Sequence, residues 1–450
     1  MRRVGVATLL VVLVAAFGVA GAPMGLALAL TGLGVIGVLL VLWRGRASWD
    51  RWLLVACAVL LALAPLLRDA GWVVAFDLVV AWLCVVVAAV RGTSVPAVVL
   101  APLVALRELP AGLALAGRDI GALLPRHAPS RFGPALRGGA LAATLLAVFG
   151  ALFVSADGAF AQLAESALPE PPDIGILPVR VLLAVAFAAI IGSLVRTAHW
   201  QPADTERAAG RQLGPIEWVP ALGGLVLLFG AFVAVQIVVL FGGRGHVLDT
   251  AGLTYAEYAH QGFGQLVVVT ALVLGVLVAA SRWTAAPGGS EPVRRVLLLV
   301  LCALTLVIVA SALHRLDVYV DAFGATRLRV QAATLCALLG GVVALAAVGV
   351  AIRRGGWLPR AVVVLMGLTA IAVTIADPDR RIAERNIDRW ERTGNVDAWY
   401  LDQLSADAAP TLAAAPRALR NEIGVDCPPA DDGLAGFNLA RDQARSALRC

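Results

Sequence analysis

Eleven apolar stretches of sixteen to twenty-three residues run through this chain of 450 residues. The hydrocarbon core of a bilayer is about 30 Å thick, and a helix needs roughly 20 apolar residues to cross it. Only 15% of the residues are charged, against about 25% in soluble domains, which excludes a soluble, disordered or fibrous protein. The sequence predicts an all-α, polytopic transmembrane helix bundle. Its predicted spans are 4–20, 25–42, 52–67, 72–90, 136–154, 177–195, 219–241, 263–280, 296–312, 330–352 and 358–375.

The first stretch also fits a signal peptide, because Arg2 and Arg3 precede it and small residues follow near Ala20. A second apolar stretch begins within five residues, and nothing soluble lies between the two. An uncleaved first span is therefore the better interpretation.

The basic residues, all of them arginine, are unevenly distributed between the two ends of the spans. With the N-terminus inside, 20 of the 36 arginines fall in inner segments, 6 in outer loops and 10 in the tail. Basic residues concentrate on the cytoplasmic side of membrane proteins. The distribution predicts a multi-pass plasma-membrane protein with a cytoplasmic N-terminus and an extracytoplasmic C-terminus. The net charge of +6 is explained by arginines in loops beside the membrane. We therefore expect the lipid bilayer as a partner and no nucleic acid.

The segment 95–117 is mostly apolar but does not resemble the other spans. Arg107 and Glu108 lie at its middle, and three prolines interrupt it. Its longest uncharged run is too short to cross a bilayer. We expect an interfacial or re-entrant element on the cytoplasmic side of the bundle.

Asp77 is the exception among spans that carry almost no ionisable residue. Transporters usually keep such residues deep in the bundle, so these spans count against transport. Asp77 follows Trp72, which suits the interfacial belt, and lies about 7–8 Å inside the outer interface by helical rise. We expect a pairing with Arg180 or another outer-end group, or a structural hydrogen bond between helices.

Two outer loops carry candidate functional residues. Asp157 ends the fifth span at the start of an acidic loop. Before the eighth span, Glu257 completes a capping box, which gives it a structural role as the alternative to catalysis. Tyr255, His260 and Gln261 have no capping role, and we expect them to line a binding site.

A third outer element, 311–330, forms a helical hairpin rich in charges. His314, Asp317 and Asp321 are spaced to share one helix face. Such a set could bind a metal or perform acid–base chemistry, but two arginines that begin the returning span can neutralise the acids instead. We favour the salt-bridge network and predict no metal. The candidate residues of this hairpin are His314, Arg315, Asp317, Tyr319, Asp321, Arg327 and Arg329.

Residues 377–450 are more polar than the bundle, 1–376, and are predicted to form a small helical tail outside the membrane. Asp377-Pro-Asp379 is a signal for a helix start, and the first tail helix should stop near Gly394. A tail of this size buries too little apolar surface to be stable without contacts to the bundle.

The tail contains two cysteines, Cys427 and Cys450. Because the predicted compartment is oxidising, we expect them to form a disulfide. The other four cysteines lie in apolar spans and are interpreted as small core residues.

Three segments occur in a characteristic order. They are LTYAEYAHQGF from Leu253, the hairpin from His314-Arg-Leu to Phe323-Gly-Ala-Thr-Arg-Leu-Arg329, and the tail from Asp377-Pro-Asp through Asn386 to Pro410. Together they resemble a family of polytopic bacterial membrane proteins that is defined only as a domain of unknown function. The resemblance covers roughly residues 136–410 and implies the architecture without an activity. Asn386 joins the candidate binding residues.

No motif of a catalytic or cofactor site is present in the sequence, so no cofactor is named and enzymatic activity stays open. The first hypothesis is a cell-envelope protein whose outward polar surface binds a lipid, an envelope polymer or a protein. The second is a membrane enzyme acting on a lipid-linked envelope substrate, and a transporter is third. The catalytic candidates would be Asp157, Glu257, His314 and Asp317. We also predict that the three outer elements form one polar bowl beneath the tail.

Overall fold

The computed structural model describes residues 2–43, 48–121, 176–200, 213–241, 263–284, 288–424, 427–428 and 432–449. Within these residues the chain is helical, and a single backbone bridge between Leu213 and Thr284 belongs to no strand. The predicted all-α fold is confirmed.

The bundle helices are α1 (Arg2–Val14, extended by the π-helical turn Ala15–Val19), α2 (Leu26–Leu42), α3 (Trp49–Ala62), α4 (Ala64–Leu67), α5 (Gly71–Ala89), α6 (Val95–Arg107), α7 (Leu109–Gly121), α8 (Leu177–His199), α9 (Pro215–Phe241), α10 (Phe263–Trp283), α11 (Glu291–Phe323), α12 (Arg327–Ile352) and α13 (Leu358–Ala376). The tail helices are α14 (Pro378–Thr393), α15 (Ala398–Asp402), α16 (Ala409–Ala414), α17 (Arg417–Arg420), α18 (Gly433–Gly436) and α19 (Leu439–Leu448).

Eight helices of the described residues are long and apolar enough to cross a bilayer, with α3 and α4 counted together. Two shorter apolar helices, α1 and α2, precede them. These helices match the predicted spans except 136–154, which lies outside the described residues. The prediction of a polytopic bundle is therefore confirmed.

Two apolar clusters hold the bundle together. One lies among α2, α3, α5 and α13, and the other among α9, α10, α11 and α12. We call the end that carries Arg68, Gly324 and Asp377 the tail end, because the tail packs there, and the other the opposite end. At the opposite end the buried Arg360 pairs with Asp50 at 2.5 Å and donates to the carbonyls at the end of α5.

The segment predicted to be interfacial forms two helices, α6 and α7, with a bend of 65° between them. Pro110 explains the bend, because it has no N–H for the preceding turn and its ring clashes with that turn. Ser193 of α8 donates to the carbonyl of Ala105 at 2.7 Å and satisfies an acceptor near the break. The pair is a broken span or a re-entrant loop, so the interfacial placement stays a prediction.

Helices α7 and α8 come into close backbone contact at two glycines, Gly112 and Gly192. A Cβ atom added at either position would overlap the backbone of the facing helix. Small residues allow such close approach between membrane helices. Helix α7 therefore packs tightly against α8 of the bundle.

Candidate functional site

The tail turns back over the tail end of the bundle at Asp377. Its backbone is left-handed there, with φ of 51°, so α14 leaves the direction of α13. Asp377 occupies the predicted cap position, but its side chain makes no capping bond and pairs with Arg68. On the inner face of α14, Ile382 packs with Val320 and Ala325. This apolar contact fixes α14 against the α11–α12 hairpin and so positions the polar side chains that surround the contact.

Asp379 is fully buried and accepts four hydrogen bonds in this interface. Arg327 donates from Nε at 3.0 Å and from Nη2 at 2.5 Å. Trp72 Nε1 donates at 3.1 Å and the backbone N–H of Ser405 at 3.0 Å. Burial alone would raise the pKa of Asp379, but these donors hold the pKa below its ordinary value. Because a carboxylate offers about four lone-pair sites, Asp379 is an anchor and has little capacity left for a ligand.

The carboxylates of Asp69 and Asp407 each accept hydrogen bonds from backbone N–H groups on the other side of the interface. Asp407 Oδ2 accepts from the N–H of Asp69 at 2.9 Å and of Ala70 at 2.8 Å, just before α5. Asp69 Oδ2 in turn accepts from the N–H of Ala406 at 3.2 Å, where the short helical turn Ala406–Ala408 begins. Free N–H groups at helix starts favour carboxylates. The tail and the bundle therefore each supply a carboxylate acceptor for free backbone N–H groups of the other.

Arg68 joins the end of α13 to the tail. Its guanidinium pairs with Asp377, lies 3.5 Å from Asp407 Oδ1 and donates from Nε to the carbonyl of Thr374 at 2.8 Å. Burial, and then the neighbouring charge of Asp407, raise the pKa of Asp377 to about 6. Burial likewise raises the pKa of Asp407. Two carboxyls thus share one guanidinium.

Helix α19 ties the tail to the first loop of the bundle. Arg441 is buried and pairs with Asp69 at 2.6 Å and with Asp432 at 3.0 Å. It also donates to the carbonyl of Met24 at 2.9 Å. Asn438, fully buried at the start of α19, donates to the carbonyls that precede α5. The last helix is therefore part of the interface.

The α11–α12 turn is held by Asn386, a residue singled out by the sequence. Asn386 Oδ1 accepts from the N–H of Ala325 at 3.1 Å, and Nδ2 donates to the carbonyl of Ala325 at 2.9 Å. Gly324 has φ of 86°, which L side chains rarely adopt, and a Cβ atom there would strike Asn386. Asn386 thus binds the hairpin backbone.

The charges of the hairpin pair mainly with the tail. Arg327 bonds Asp379, and Asp317 is paired by Arg385 of α14 at 3.1 Å. Arg327 was predicted to neutralise Asp317, Asp321 or Glu257. For the two hairpin acids this prediction is wrong, and Glu257 lies outside the described residues. The local spacing suggested a pairing within the hairpin, but the tail brings its own acids and arginines within reach.

Two other hairpin arginines bind within the bundle. Arg329 donates to the carbonyl of Gly324 and lies 4.4 Å from the ring centre of Tyr319. Arg315 donates to Gln236 of α9. Arg329, like Arg327, is therefore not the partner of the hairpin acids.

His314, Asp317 and Asp321 are exposed along α11. Within the described parts of the chain, no group of three His, Cys, Asp or Glu residues is arranged to hold a metal ion. No resident cofactor is assigned.

Asp77 forms the hydrogen bond between helices that was one of the two expectations, and it does not pair with Arg180. Its carboxyl contacts the hydroxyl of Thr374 on α13 at 2.5 Å. Arg180 lies on α8, where its guanidinium is 5.1 Å from the ring centre of Phe17. The specific pairing with Arg180 is wrong, because Asp77 faces α13 while Arg180 faces α1.

Asp157, Tyr255, Glu257, His260 and Gln261 lie outside the described residues, and so do two of the three elements of the predicted bowl. The third element, the hairpin, does contact the tail.

Cys427 is disulfide-bonded, whereas the four cysteines of the spans are free. Cys450 lies outside the described residues. The pairing of Cys427 with Cys450 stays a prediction.

Sequence reasoning missed most of the docking interface. It interpreted Trp72 as an interfacial anchor, Asp377 as a helix N-cap and Asp379 as an acid of the first helical turn. A usable signal was the tail itself, since a segment too small to fold alone must satisfy its charges against its neighbour. The missed residues are Arg68, Asp69, Asp379, Asp407, Asn438 and Arg441.

A groove of about 730 Å³ lies beside the docked tail. Helices α11 and α13 both pack on α12, which forms the floor, and α14 lies across the tail end. The apolar lining comprises Leu313, Leu316, Val320, Val330, Ala333, Ala337, Ala372, Val373 and Ala376. The charged rim comprises Asp317, Arg329, Arg381, Glu384, Arg385 and Asp388.

Apolar helices of spanning length, with polar groups gathered at their ends and in the tail, define an integral membrane protein. A family model described as "Domain of unknown function (DUF4153)" matches residues 55–415. The chain belongs to this family, as the three sequence segments suggested. Comparison with curated proteins found no match, and comparison with solved structures found none either.

Proposed function

We propose that the protein binds a membrane lipid with a phosphate-bearing headgroup in the groove between α11, α13 and α14. The groove joins an apolar cleft to a charged rim, which is the pattern of an amphiphile. Its volume of about 730 Å³ falls within the usual range of small-molecule sites, about 300–1,000 Å³. This combination carries the proposal.

The apolar part of the groove suits an acyl chain. Its floor on α12 includes the small residues Ala333 and Ala337, which leave depth beside the larger Leu313 and Leu316 of α11. Burying a methylene group contributes about 0.8 kcal/mol in transfer from water. For a lipid already in the bilayer the gain is smaller, so shape and headgroup contacts provide the selectivity.

The rim favours a negative headgroup because its uncommitted cation is Arg381. Asp317 is paired with Arg385 and Glu384 with Arg380. Arg381 is exposed, and its side chain has no ion pair with any residue that the structure describes. A guanidinium binds phosphate through two parallel hydrogen bonds.

The arginine distribution favours an extracytoplasmic tail end, and the proposal includes this orientation in the plasma membrane. The lipid would then come from the outer leaflet, which makes this a cell-envelope protein. We do not propose catalysis, because Asp317, the catalytic candidate at the rim, already has Arg385 as partner.

Lipid retention tests the proposal. Protein extracted from membranes, washed through fresh detergent and analysed by native mass spectrometry should retain one phospholipid. Arg381→Ala removes the free cation, and Ala333→Phe fills the floor of the groove. Both variants should lose at least about fivefold of the bound lipid, about 1 kcal/mol.

Arg380→Ala is the matched control, since Arg380 is the adjacent exposed arginine and pairs with Glu384. It should retain lipid like the unaltered protein. Equal retention by all four proteins would reject the site.

A further inference from the structure

Asp77 holds a carboxyl group inside the bundle, with no exposed surface. Its Oδ2 contacts the hydroxyl of Thr374 at 2.5 Å. Its Oδ1 is buried and has no hydrogen-bond partner among the described residues. An ionised carboxylate without water or counter-ion is costly, so a group in this position favours the neutral form. Ionisable residues inside a membrane bundle are rare and usually functional.

The hydroxyl of Thr374 distinguishes the two protonation states of Asp77. Its oxygen lies 2.5 Å from Asp77 Oδ2 and 3.1 Å from the carbonyl oxygen of Ala370. A hydroxyl has one proton to donate, so it cannot serve both oxygens. If Asp77 is neutral, it donates to Thr374 while Thr374 donates to Ala370, and both contacts become hydrogen bonds. The neutral carboxyl fits this geometry better.

The elements around α5 do not place a free counter-ion at Asp77. Among the described residues, helices α2 and α4 have no titratable residue, and α3 contributes the thiol of Cys57. The charged residues Asp50 and Arg51 of α3 and Arg360 of α13 lie at the opposite end of the bundle, and α6 carries Arg107 at its far end. Arg180 of α8 lies at Phe17. The charged groups of the tail end are bonded within the docking interface: Arg68, Asp69, Asp377, Asp379 and Asp407.

We infer that Asp77 is a proton-binding site inside the bundle, neutral while the tail is docked and coupled to docking through Thr374 and Arg68. Thr374, which contacts Asp77 with its hydroxyl, accepts from Arg68 Nε with its carbonyl at 2.8 Å. The same guanidinium holds Asp377 and approaches Asp407. When Asp77 releases its proton, the new charge competes with these tail carboxylates for Arg68. Proton release therefore weakens docking, and docking retains the proton.

Infrared spectroscopy tests the protonation state directly. At about pH 8, Asp377, with a pKa of about 6, is ionised. The spectrum of the unaltered protein should then contain the carbonyl stretch of a protonated acid, and Asp77→Asn should remove it. Thr374→Val should keep the band but move it to higher frequency, because the acid loses its hydrogen-bond acceptor. A missing band, or one unchanged in Asp77→Asn, would reject the protonated site.

Hydrogen exchange in α14 tests the coupling to the tail. Between about pH 7 and pH 10, intrinsic-rate-corrected exchange should rise roughly tenfold or more in the unaltered protein. Asp77→Asn, which mimics the neutral acid, should change less than about twofold over this range. The same rise in both proteins would reject the coupling. If Asp77→Asn fails to fold, the band shift in Thr374→Val still decides the protonation state.

Discussion

Replacing Asp379 with asparagine should release the tail from the bundle. The isosteric amide can still accept from Trp72 and from Arg327 Nε through its oxygen. Its NH₂ group replaces the oxygen that now accepts from Arg327 Nη2 and from the N–H of Ser405. An NH₂ group cannot accept, so both hydrogen bonds are lost and three donor groups face one another. Breaking a buried ion pair costs about 3–5 kcal/mol.

The lower end of this range applies because the Arg327 side chain is 31% exposed and can be rehydrated in part. A loss of about 3 kcal/mol lowers the docking equilibrium constant roughly 100-fold.

Hydrogen–deuterium exchange of α14 measures this change, because the amides of a released helix exchange with solvent. The exchange of α14 should accelerate roughly 100-fold in Asp379→Asn, while the amides of α5 and α13 change little. Asp388→Asn, at an exposed acid of the same helix, is the control and should match the unaltered protein. If α14 stays equally protected in Asp379→Asn, the carboxylate is not the anchor described here.

Four further predictions follow from the fold and the sequence. Gly192→Leu should lower the melting temperature, because overpacking costs about 1–3 kcal/mol. Gly117→Leu is the control, since that position has open space, and it should melt like the unaltered protein. Equal melting temperatures for the two variants would refute the helix contact. Since docking raises the pKa of Asp377 to about 6, docking takes up a proton, so tail protection from protease should increase from about pH 7 to pH 5 and this trend should weaken in Asp377→Asn. Mass mapping before and after reduction should find Cys427 linked to Cys450, and free thiols there would end that prediction. A reporter that needs export should be active at the C-terminus, and a cytoplasmic signal would reverse the proposed orientation.

Local pattern was enough to predict the helices. The apolar stretches, the break in the segment 95–117 and the stop of α14 at Gly394 all depend on neighbouring residues, and Gly394 indeed ends α14 with φ of 71°. Pro110 breaks its helix by removing one N–H, which is visible in the sequence. These features need no knowledge of the fold.

The partners of the polar residues could not be predicted in the same way. Arg327 was assigned to acids of its own hairpin because local spacing makes such pairs probable. Its actual partner, Asp379, lies 52 residues away, and Thr374 lies 297 residues from Asp77. Nothing in either segment specifies the distant partner, since it depends on how α5, α12, α13 and the tail pack.

The contact of α19 with the first loop sets an order for biogenesis. Arg441 reaches the carbonyl of Met24, 417 residues earlier in the chain. The loop that contains Met24 is synthesised early, yet its carbonyl and the carboxylate of Asp69 cannot pair with Arg441 until α19 has been synthesised. A chain that stops before Arg441 leaves this seam open at the surface. Closure of this interface therefore requires α19, so docking of the tail can be completed only after the whole bundle has been synthesised.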